Sequence, residues 1–209
     1  MIIDSKAALY SKLDTMLGLY RATEVPQSAQ LDITYRCDLD CVHCYLDEKN
    51  EWPELTTKEW LSVLDQLAEM GVWEVGWSGG EVFARPDFDQ MLEYAHKLGF
   101  RSRVKTHAGN VDEAMARKLE SLRVWRVDVS VYSLDADVHD GITGVPGSLE
   151  ATLAGVAALL KTSIKIRVAV TVFQSNLYEL EDINDYFLDL GVDAVFSTNM
   201  FPDQSATNA

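Results

Sequence analysis

All three cysteines of the 209-residue chain lie in one segment, Ile33-Thr-Tyr-Arg-Cys37-Asp-Leu-Asp-Cys41-Val-His-Cys44-Tyr45. The segment begins inside a short apolar stretch, residues 30–35, whose side chains favour a β-strand. Three thiols spaced C-x3-C-x2-C are an odd and tightly clustered set, which makes a poor disulfide framework. The spacing therefore predicts a loop of reduced, metal-binding thiols directly after a strand.

Short apolar segments alternate with amphipathic ones along the rest of the chain. Strands are predicted at residues 30–35, 72–77, 101–106, 124–132, 164–173 and 194–197, and helices at 57–70, 88–98, 111–121, 148–161 and 177–190. Six such alternations with short connections are typical of βαβ units in a parallel sheet, and they are too few for a closed eight-stranded barrel. The predicted class is α/β, with the cysteines at the carboxyl edge of the sheet, where such folds bind ligands.

The first 29 residues differ from this pattern. Leu9, Leu13, Leu17 and Tyr20 recur at helical spacing, and Pro26 follows them, so we expect an amphipathic N-terminal helix. We divide the chain into an N-terminal helical extension, residues 1–29, and one domain, residues 30–209.

Composition restricts the function classes. A chain with 47% hydrophobic and 24% charged residues can bury one ordinary core. Its net charge of −15 argues against binding to nucleic acid, which depends on Lys and Arg contacts to phosphates. Neither a membrane-spanning run nor a signal-peptide pattern is evident. We therefore expect a cytoplasmic protein with neither nucleic acid nor membrane as a partner.

The cysteines allow three interpretations. Zinc needs four ligands, and His43 is awkwardly placed to be the fourth because it is next to Cys44. A redox pair of Cys41 and Cys44 leaves Cys37 unexplained. Three thiolates can each ligate one iron of a [4Fe–4S] cluster, whose fourth iron then stays open for a reactant. We favour the cluster, with zinc and redox thiols as the alternatives.

A second motif, Ser78-Gly79-Gly80-Glu81, ends the second predicted strand. Two glycines allow the backbone to approach a ligand closely, and the carboxylate that follows can bind an ammonium group. Considered alone, the motif is equally compatible with a simple turn.

Polar side chains follow one face of the next strands. Alternation places Asp128, Ser130 and Tyr132 together, and such groups on a buried strand need partners, which a pocket supplies. On the fifth strand Arg167 either reaches the carboxylate of a bound cofactor or forms a structural ion pair. His107 is either a pocket contact or an exposed loop residue.

Taken together, the C-x3-C-x2-C loop after the first strand and the Gly-Gly-Glu turn after the second resemble the radical S-adenosylmethionine (radical SAM) superfamily, over residues 30–197. The resemblance implies a partial (β/α)6 TIM-like barrel. It also implies a [4Fe–4S] cluster on Cys37, Cys41 and Cys44, and S-adenosylmethionine on the fourth iron, cleaved reductively to a hydrogen-abstracting 5′-deoxyadenosyl radical. The cofactor contacts that it implies are His43, Ser78, Gly79, Gly80, Glu81, Ser130, Tyr132 and Arg167.

The strings ITYRCDLDCVHCY, SGGE and HDGITGVPGS resemble the peptide-maturase, SPASM-type branch, which also contains haem-modifying enzymes. Members of that branch usually continue into a cysteine-rich extension, which this chain lacks, so we expect a C-terminally short form. The leading hypothesis is oxidoreductase chemistry on a ribosomally synthesised precursor peptide, with an external electron donor. A small-molecule substrate such as a tetrapyrrole, or a non-catalytic cluster-binding partner, is the alternative. No catalytic side chain is assigned.

Overall fold

A computed structural model describes residues 25–46 and 53–199, together with residue 18. Its framework is one sheet of six parallel strands arranged in chain order. The strands are β1 Ser28–Asp32, β2 Glu74–Ser78, β3 Arg101–Thr106, β4 Arg126–Ser130, β5 Lys165–Thr171 and β6 Asp193–Ser197. This all-parallel arrangement confirms the predicted α/β class.

Helices connect the strands. They are α1 Thr57–Glu69, α2 Phe88–Lys97, α3 Glu113–Ser121, α4 Ala136–Thr143, α5 Ser148–Leu159 and α6 Leu180–Asp189. Thr56 and Glu59 form the reciprocal hydrogen bonds of a capping box at the start of α1, as their spacing suggests. Gly71 follows α1 with a φ of +86°, a backbone conformation that glycine adopts without strain.

Helix α4 was not anticipated, because the segment around His139 and Asp140 reads as a polar loop. Asp135 begins the helix by accepting hydrogen bonds from the backbone N–H groups of Asp137 and Val138, and the left-handed Gly144 ends it. The helix is stable despite its polar sequence because it buries His139, Ile142 and Thr143.

The first strand also differs from its prediction, since it ends at Asp32 rather than near residue 35. Beyond Ile33 the carbonyls of Thr34 and Arg36 accept hydrogen bonds from Gly80 and Glu81, outside the strand ladder. The chain therefore leaves the sheet early and forms the wall of a pocket.

The two faces of the sheet have different environments. Alternate strand residues such as Trp77, Val104, Val129 and Val168 are buried with apolar side chains from the helices in the hydrophobic core. The opposite face, here called the inner face, carries the other set of side chains, most of them polar, such as Ser130. Pleating places these sets on opposite sides, so the inner face is available for a site.

The predicted amphipathic helix of the N-terminal extension lies outside the described residues, except for residue 18. The division at residue 29 stays a prediction. Within the described part of the chain, no single helix has the length and apolar character needed to cross a membrane. Only α4 and α5 counted together, across a bend of 98°, satisfy that test by length and composition.

Candidate cofactor site

A cavity of about 640 Å³ opens at the carboxyl ends of the strands, on the inner face. This volume lies within the range of roughly 300–1,000 Å³ that is usual for small-molecule sites. Most of the predicted site residues line it, namely Cys37, Cys41, His43, Cys44, Ser78, Gly79, Gly80, Ser130 and Tyr132. The side chains of Glu81 and Arg167 are not among the lining residues.

Helix α4 holds one side of the cysteine loop. The backbone N–H of Asp40 donates to the carbonyl of Thr143 at 2.8 Å, and that of Val42 donates to Ile142 at 2.9 Å. At Gly144 a Cβ atom would lie 2.6 Å from the carbonyl oxygen of Asp40, so the loop and the end of α4 fit only because this residue is glycine. A helix that the sequence did not predict thus positions the cysteines.

The other side of the loop is held by charged side chains. Glu54 accepts hydrogen bonds from Thr34 Oγ1 at 2.6 Å and from the backbone N–H of Tyr35 at 2.9 Å. Buried Arg85 donates to the carbonyl of Ile33 at 2.6 Å and to that of Leu55 at 2.7 Å. These contacts fix the backbone that leads from β1 into the cysteines.

The spacing of the ligand atoms bears on which metal group the loop fits. Among residues 25–46 and 53–199, one trio of ligand atoms lies within 4.8 Å of one another, and it consists of Cys37, Asp38 and His107. The hydrogen bond between Asp38 and His107 accounts for this proximity. The three cysteine sulfurs do not form such a trio, whereas thiolates on one zinc ion lie within about 4.6 Å, twice the Zn–S bond length. Thiolates that each bind a different iron of a cluster need no such close approach.

The glycine turn packs directly against the cysteine loop. Gly80 N–H donates to the carbonyl of Thr34 at 2.7 Å, and Glu81 N–H donates to that of Arg36 at 2.8 Å. A Cβ atom would lie 2.4 Å from Thr34 O at Gly79, whose φ is +131°, and 2.2 Å from Arg36 O at Gly80. The glycines were expected to admit a ligand, and the structure adds that they admit the chain's own loop.

The Glu81 carboxylate is 0% exposed and does not reach the cavity. It accepts hydrogen bonds from Thr106 Oγ1 at 2.8 Å, from His107 N–H at 3.0 Å and from Phe83 N–H at 3.1 Å. Burial raises the pKa of Glu81, although these donors act in the opposite direction. This placement differs from the expectation that the carboxylate faces an ammonium group, because β3 and the residue after it already supply its donors. The Glu81 side chain therefore supports the glycine turn from the side that faces away from the cavity.

His107 connects the glycine turn to the cysteine loop. Its Nε2 lies 2.9 Å from Asp38 Oδ1 and 3.2 Å from Glu81 Oε2, and its Nδ1 accepts a hydrogen bond from Gly109 N–H. Because Nδ1 is an acceptor, this hydrogen-bond network assigns the proton to Nε2. The side chain is only 10% exposed and lines the cavity, so the exposed-loop interpretation is wrong.

Aromatic rings form another wall of the cavity. The His43 ring packs edge-on against Tyr132 at 4.9 Å and Phe173 at 5.0 Å. Burial lowers the pKa of His43, and Nδ1 of its ring is a buried atom with no hydrogen-bond partner among the described residues. Burial, reinforced by the nearby cysteines, raises the pKa of Tyr132. The wall therefore offers neutral rings and one polar atom able to bond a ligand.

Asn176 does not line the cavity, and its side chain makes no capping hydrogen bond to the short helical turn that follows it. It is completely buried, and its Nδ2 donates to the carbonyls of Tyr132 at 2.7 Å and Thr171 at 3.0 Å. Its Oδ1 accepts from Phe173 N–H at 2.8 Å. The amide therefore ties together the ends of β4 and β5 that carry the aromatic wall.

Arg167 pairs with Asp128 rather than with the cavity. Its Nε lies 2.9 Å from Asp128 Oδ1, and its Nη2 donates to Oδ2 at 3.0 Å. This geometry favours the structural ion pair of the two roles considered for this arginine. The two side chains meet because Asp128 and Arg167 are neighbours in the β4–β5 register.

Several lining residues were missed by the sequence reasoning, among them Lys105, Thr106 and Thr171. The signal of these three was available, because each lies at or near the carboxyl end of a predicted strand, the edge at which parallel sheets bind ligands. The role of Asp38 had no comparable signal, since its contact with His107 spans 69 residues.

Comparisons with known proteins agree with this geometry. The family model of the radical SAM superfamily matches residues 31–195. The AdoMet-dependent heme synthase of Methanosarcina barkeri is 32% identical over 171 residues, which cover 81% of this chain and 49% of that protein. The antilisterial bacteriocin subtilosin biosynthesis protein AlbA of Bacillus subtilis is 32% identical over 186 residues, which cover 86% and 40%.

A solved structure shares the fold. The crystal structure of Streptococcus suis SuiB bound to precursor peptide SuiA matches with a TM-score of 0.74 at 17% identity, over 89% of this chain and 43% of that one. The partial barrel predicted from the sequence is thereby confirmed. The chain spans less than half of the length of each of these three proteins.

The matched family model covers most of the chain, and the family uses the two cofactors that the sequence predicted. The chain therefore belongs to the radical SAM superfamily of enzymes, which act with a [4Fe–4S] cluster and S-adenosylmethionine.

Proposed function

We propose that this chain binds a [4Fe–4S] cluster through Cys37, Cys41 and Cys44, binds S-adenosylmethionine in the adjoining cavity, and modifies a ribosomally synthesised peptide. One observation carries the proposal. Three thiols, a glycine turn and an aromatic wall converge on one cavity of about 640 Å³. When bound and reduced, the two cofactors supply a 5′-deoxyadenosyl radical that abstracts a hydrogen atom from the substrate.

Different residues around the cavity contact different parts of the cofactor. The Gly79-Gly80 backbone and Ser78 receive its amino group, since they line the cavity beside the cysteine loop. The adenine lies against His43, whose unpartnered Nδ1 offers a hydrogen bond. Ser130 and Tyr132 face the ribose from the end of β4.

Two observations support a peptide substrate. AlbA, one of the curated relatives, takes part in the biosynthesis of a bacteriocin, and SuiB was crystallised with a precursor peptide. The second candidate is a tetrapyrrole, which the similarity to a heme synthase favours. In either case the cluster needs an external electron donor, and a reducing cytoplasmic location suits the three thiols.

The activity test is direct. The protein is reconstituted anaerobically with iron and sulfide, dithionite and S-adenosylmethionine are added, and 5′-deoxyadenosine is measured. We expect product from the wild type and from Ser121→Ala, a change on the exposed end of α3, and no product from Cys41→Ser. A brown protein with about four irons per chain that yields no 5′-deoxyadenosine contradicts catalysis and leaves a cluster-binding partner. Zinc in place of iron after anaerobic purification contradicts the cluster itself.

The substrate class is tested separately. Short peptides encoded beside the gene are compared with Fe-coproporphyrin III for a mass change that requires S-adenosylmethionine. A modified peptide supports the proposal, whereas modification of the porphyrin alone identifies the second candidate as correct.

A further inference from the structure

A cluster of basic side chains lies on the inner face of the sheet, beside the cofactor cavity. We name it the arginine cluster, and it consists of Arg103, Arg126 and Arg167 around the carboxylate of Asp128. Nε of Arg126 and of Arg167 lie 2.8 Å and 2.9 Å from Asp128 Oδ1, and Nε of Arg103 lies 3.7 Å from Oδ2. One carboxylate therefore faces three guanidinium groups.

The arginine cluster has an excess of positive charge and of hydrogen-bond donors. Each guanidinium has five N–H donors, and one carboxylate accepts about four hydrogen bonds. Among residues 25–46 and 53–199, Asp128 is the one carboxylate within ion-pair distance of these arginines. Basic residues are a minority in a chain with a net charge of −15, so composition alone does not account for three arginines around one carboxylate. The remaining donors can bind an anion, which this part of the chain does not supply.

The arginine side chains are partly exposed, whereas that of Asp128 is buried. The side chains of Arg103, Arg126 and Arg167 are 22%, 13% and 30% exposed, and that of Asp128 is 3% exposed. Gly76 on β2 leaves room for one of them, because a Cβ atom there would lie 2.9 Å from Arg103 Nη2. The carboxylate thus fixes the guanidinium groups from below and leaves their outer edges open to a ligand.

The arginine cluster adjoins the reaction site. Asp128 is two residues before Ser130 on the same face of β4, which corresponds to a distance of about 7 Å along the strand. Lys105 is the register neighbour of Asp128 on β3, and it lines the cofactor cavity. Asp128 is therefore adjacent to two residues, Lys105 and Ser130, that line the cavity in which we place the cofactor.

We propose that the arginine cluster binds a carboxylate of the substrate and so orients the substrate toward the cofactor. The inference rests on the proposed function, and it restricts the substrate to one that carries a carboxylate near the reacting carbon. Guanidinium groups are suited to this because their planar donors match a carboxylate in pairs. The carboxylate belongs either to an acidic side chain of a peptide or to a propionate of a tetrapyrrole.

Binding without turnover tests the inference. Coproporphyrin III and its tetramethyl ester are titrated by fluorescence, and a randomised amide-capped peptide library is enriched on the protein and read by mass spectrometry. We expect the free acid to bind at least tenfold more tightly than the ester, or the enriched peptides to carry Asp or Glu. The first result identifies a tetrapyrrole carboxylate and the second a peptide carboxylate.

Variants test whether the arginine cluster causes the preference for a carboxylate. We expect Arg167→Gln to remove this preference and Arg117→Gln, on the exposed face of α3, to retain it. Asp128→Asn has the opposite effect and strengthens acid binding several-fold, because it removes the competing carboxylate. A merely structural role predicts lower stability in Asp128→Asn without tighter anion binding, so thermal unfolding of each variant is recorded alongside.

No preference for carboxylate in the wild type, or a preference that survives in Arg167→Gln, overturns the inference. Formation of 5′-deoxyadenosine from S-adenosylmethionine alone is measured on the same preparations. A protein that makes 5′-deoxyadenosine but shows no carboxylate preference refutes the arginine cluster and keeps the proposed function. The reverse pattern refutes catalysis and keeps the anion site.

Discussion

Replacement of Thr106 by Val is a sharp test of how the glycine turn is supported. The Thr106 hydroxyl donates to the buried Glu81 carboxylate at 2.8 Å and accepts a hydrogen bond from Ala108 N–H at 2.8 Å. Valine has a similar shape, so the change removes two hydrogen bonds and creates almost no cavity. A bond to a charged group contributes about 1.5–3 kcal/mol, and a buried N–H left unpaired costs about 1–3 kcal/mol. We therefore expect Thr106→Val to lower the free energy of unfolding by about 3–5 kcal/mol.

Thr152 on α5 provides a matched control. It is 0% exposed, against 4% for Thr106, and its hydroxyl has no hydrogen-bond partner among the described residues. Burying an unpaired hydroxyl is unfavourable, so Thr152→Val should leave stability unchanged or raise it by about 1 kcal/mol. The same Thr-to-Val change at two buried positions is thus expected to lower the free energy of unfolding at Thr106 but not at Thr152.

Urea unfolding followed by the fluorescence of the five tryptophans measures both variants. The midpoint gives the change in stability, provided that the slope with urea stays the same. Equal losses in the two variants, or a loss below about 1 kcal/mol in Thr106→Val, would refute the role assigned to the hydroxyl. In that case Glu81 is held by the backbone N–H groups alone.

Three further predictions concern the site and its supports. Gly80→Ala should abolish iron incorporation, measured by absorbance after reconstitution, because its Cβ atom would lie 2.2 Å from Arg36 O. The control Gly141→Ala lies within α4 with open space around the new methyl group, and it should stabilise by up to about 1 kcal/mol. Gly144→Ala should detach the cysteine loop from α4 and lower iron content, because its Cβ atom meets Asp40 O at 2.6 Å. Burial lowers the pKa of His139, whose Nδ1 accepts from Tyr132 N–H, so the unfolded chain takes up this proton first and the stability that the neutral ring contributes falls as the pH drops below about 6.5. His139→Asn keeps an acceptor without a titrating ring, and should reduce the loss of unfolding free energy between about pH 7 and pH 5.

Each of these predictions can fail separately. Iron content in Gly80→Ala equal to that in Gly141→Ala contradicts the steric argument for the turn. Wild-type iron content in Gly144→Ala shows that α4 does not position the cysteines. An unchanged pH slope in His139→Asn assigns the acid sensitivity to another group, of which half-buried His43 is the first to test.

Several features of this protein follow from local sequence. The C-x3-C-x2-C spacing and the Gly-Gly-Glu turn indicated the family, because one loop and one turn carry the chemistry. The strand–helix alternation indicated the parallel sheet, since a period of two or of 3.6 residues is a property of neighbouring residues. The shared face of Ser130 and Tyr132 was also predictable, because the alternation of side chains along a strand places both on the side that lines the cavity.

Only the tertiary structure decided which partner each polar side chain takes. Glu81 turns from the cavity toward Thr106, 25 residues away, and Arg167 pairs with Asp128, 39 residues away. Helix α4 was missed because its stability comes from burying His139 and Ile142 and not from helix-forming residues. The sequence alone determined where the cysteines and glycines fall along the chain. The hydrogen-bond partner of a buried carboxylate depends on which strands become neighbours in the sheet. The spacing of residues along the chain does not specify which strands those are.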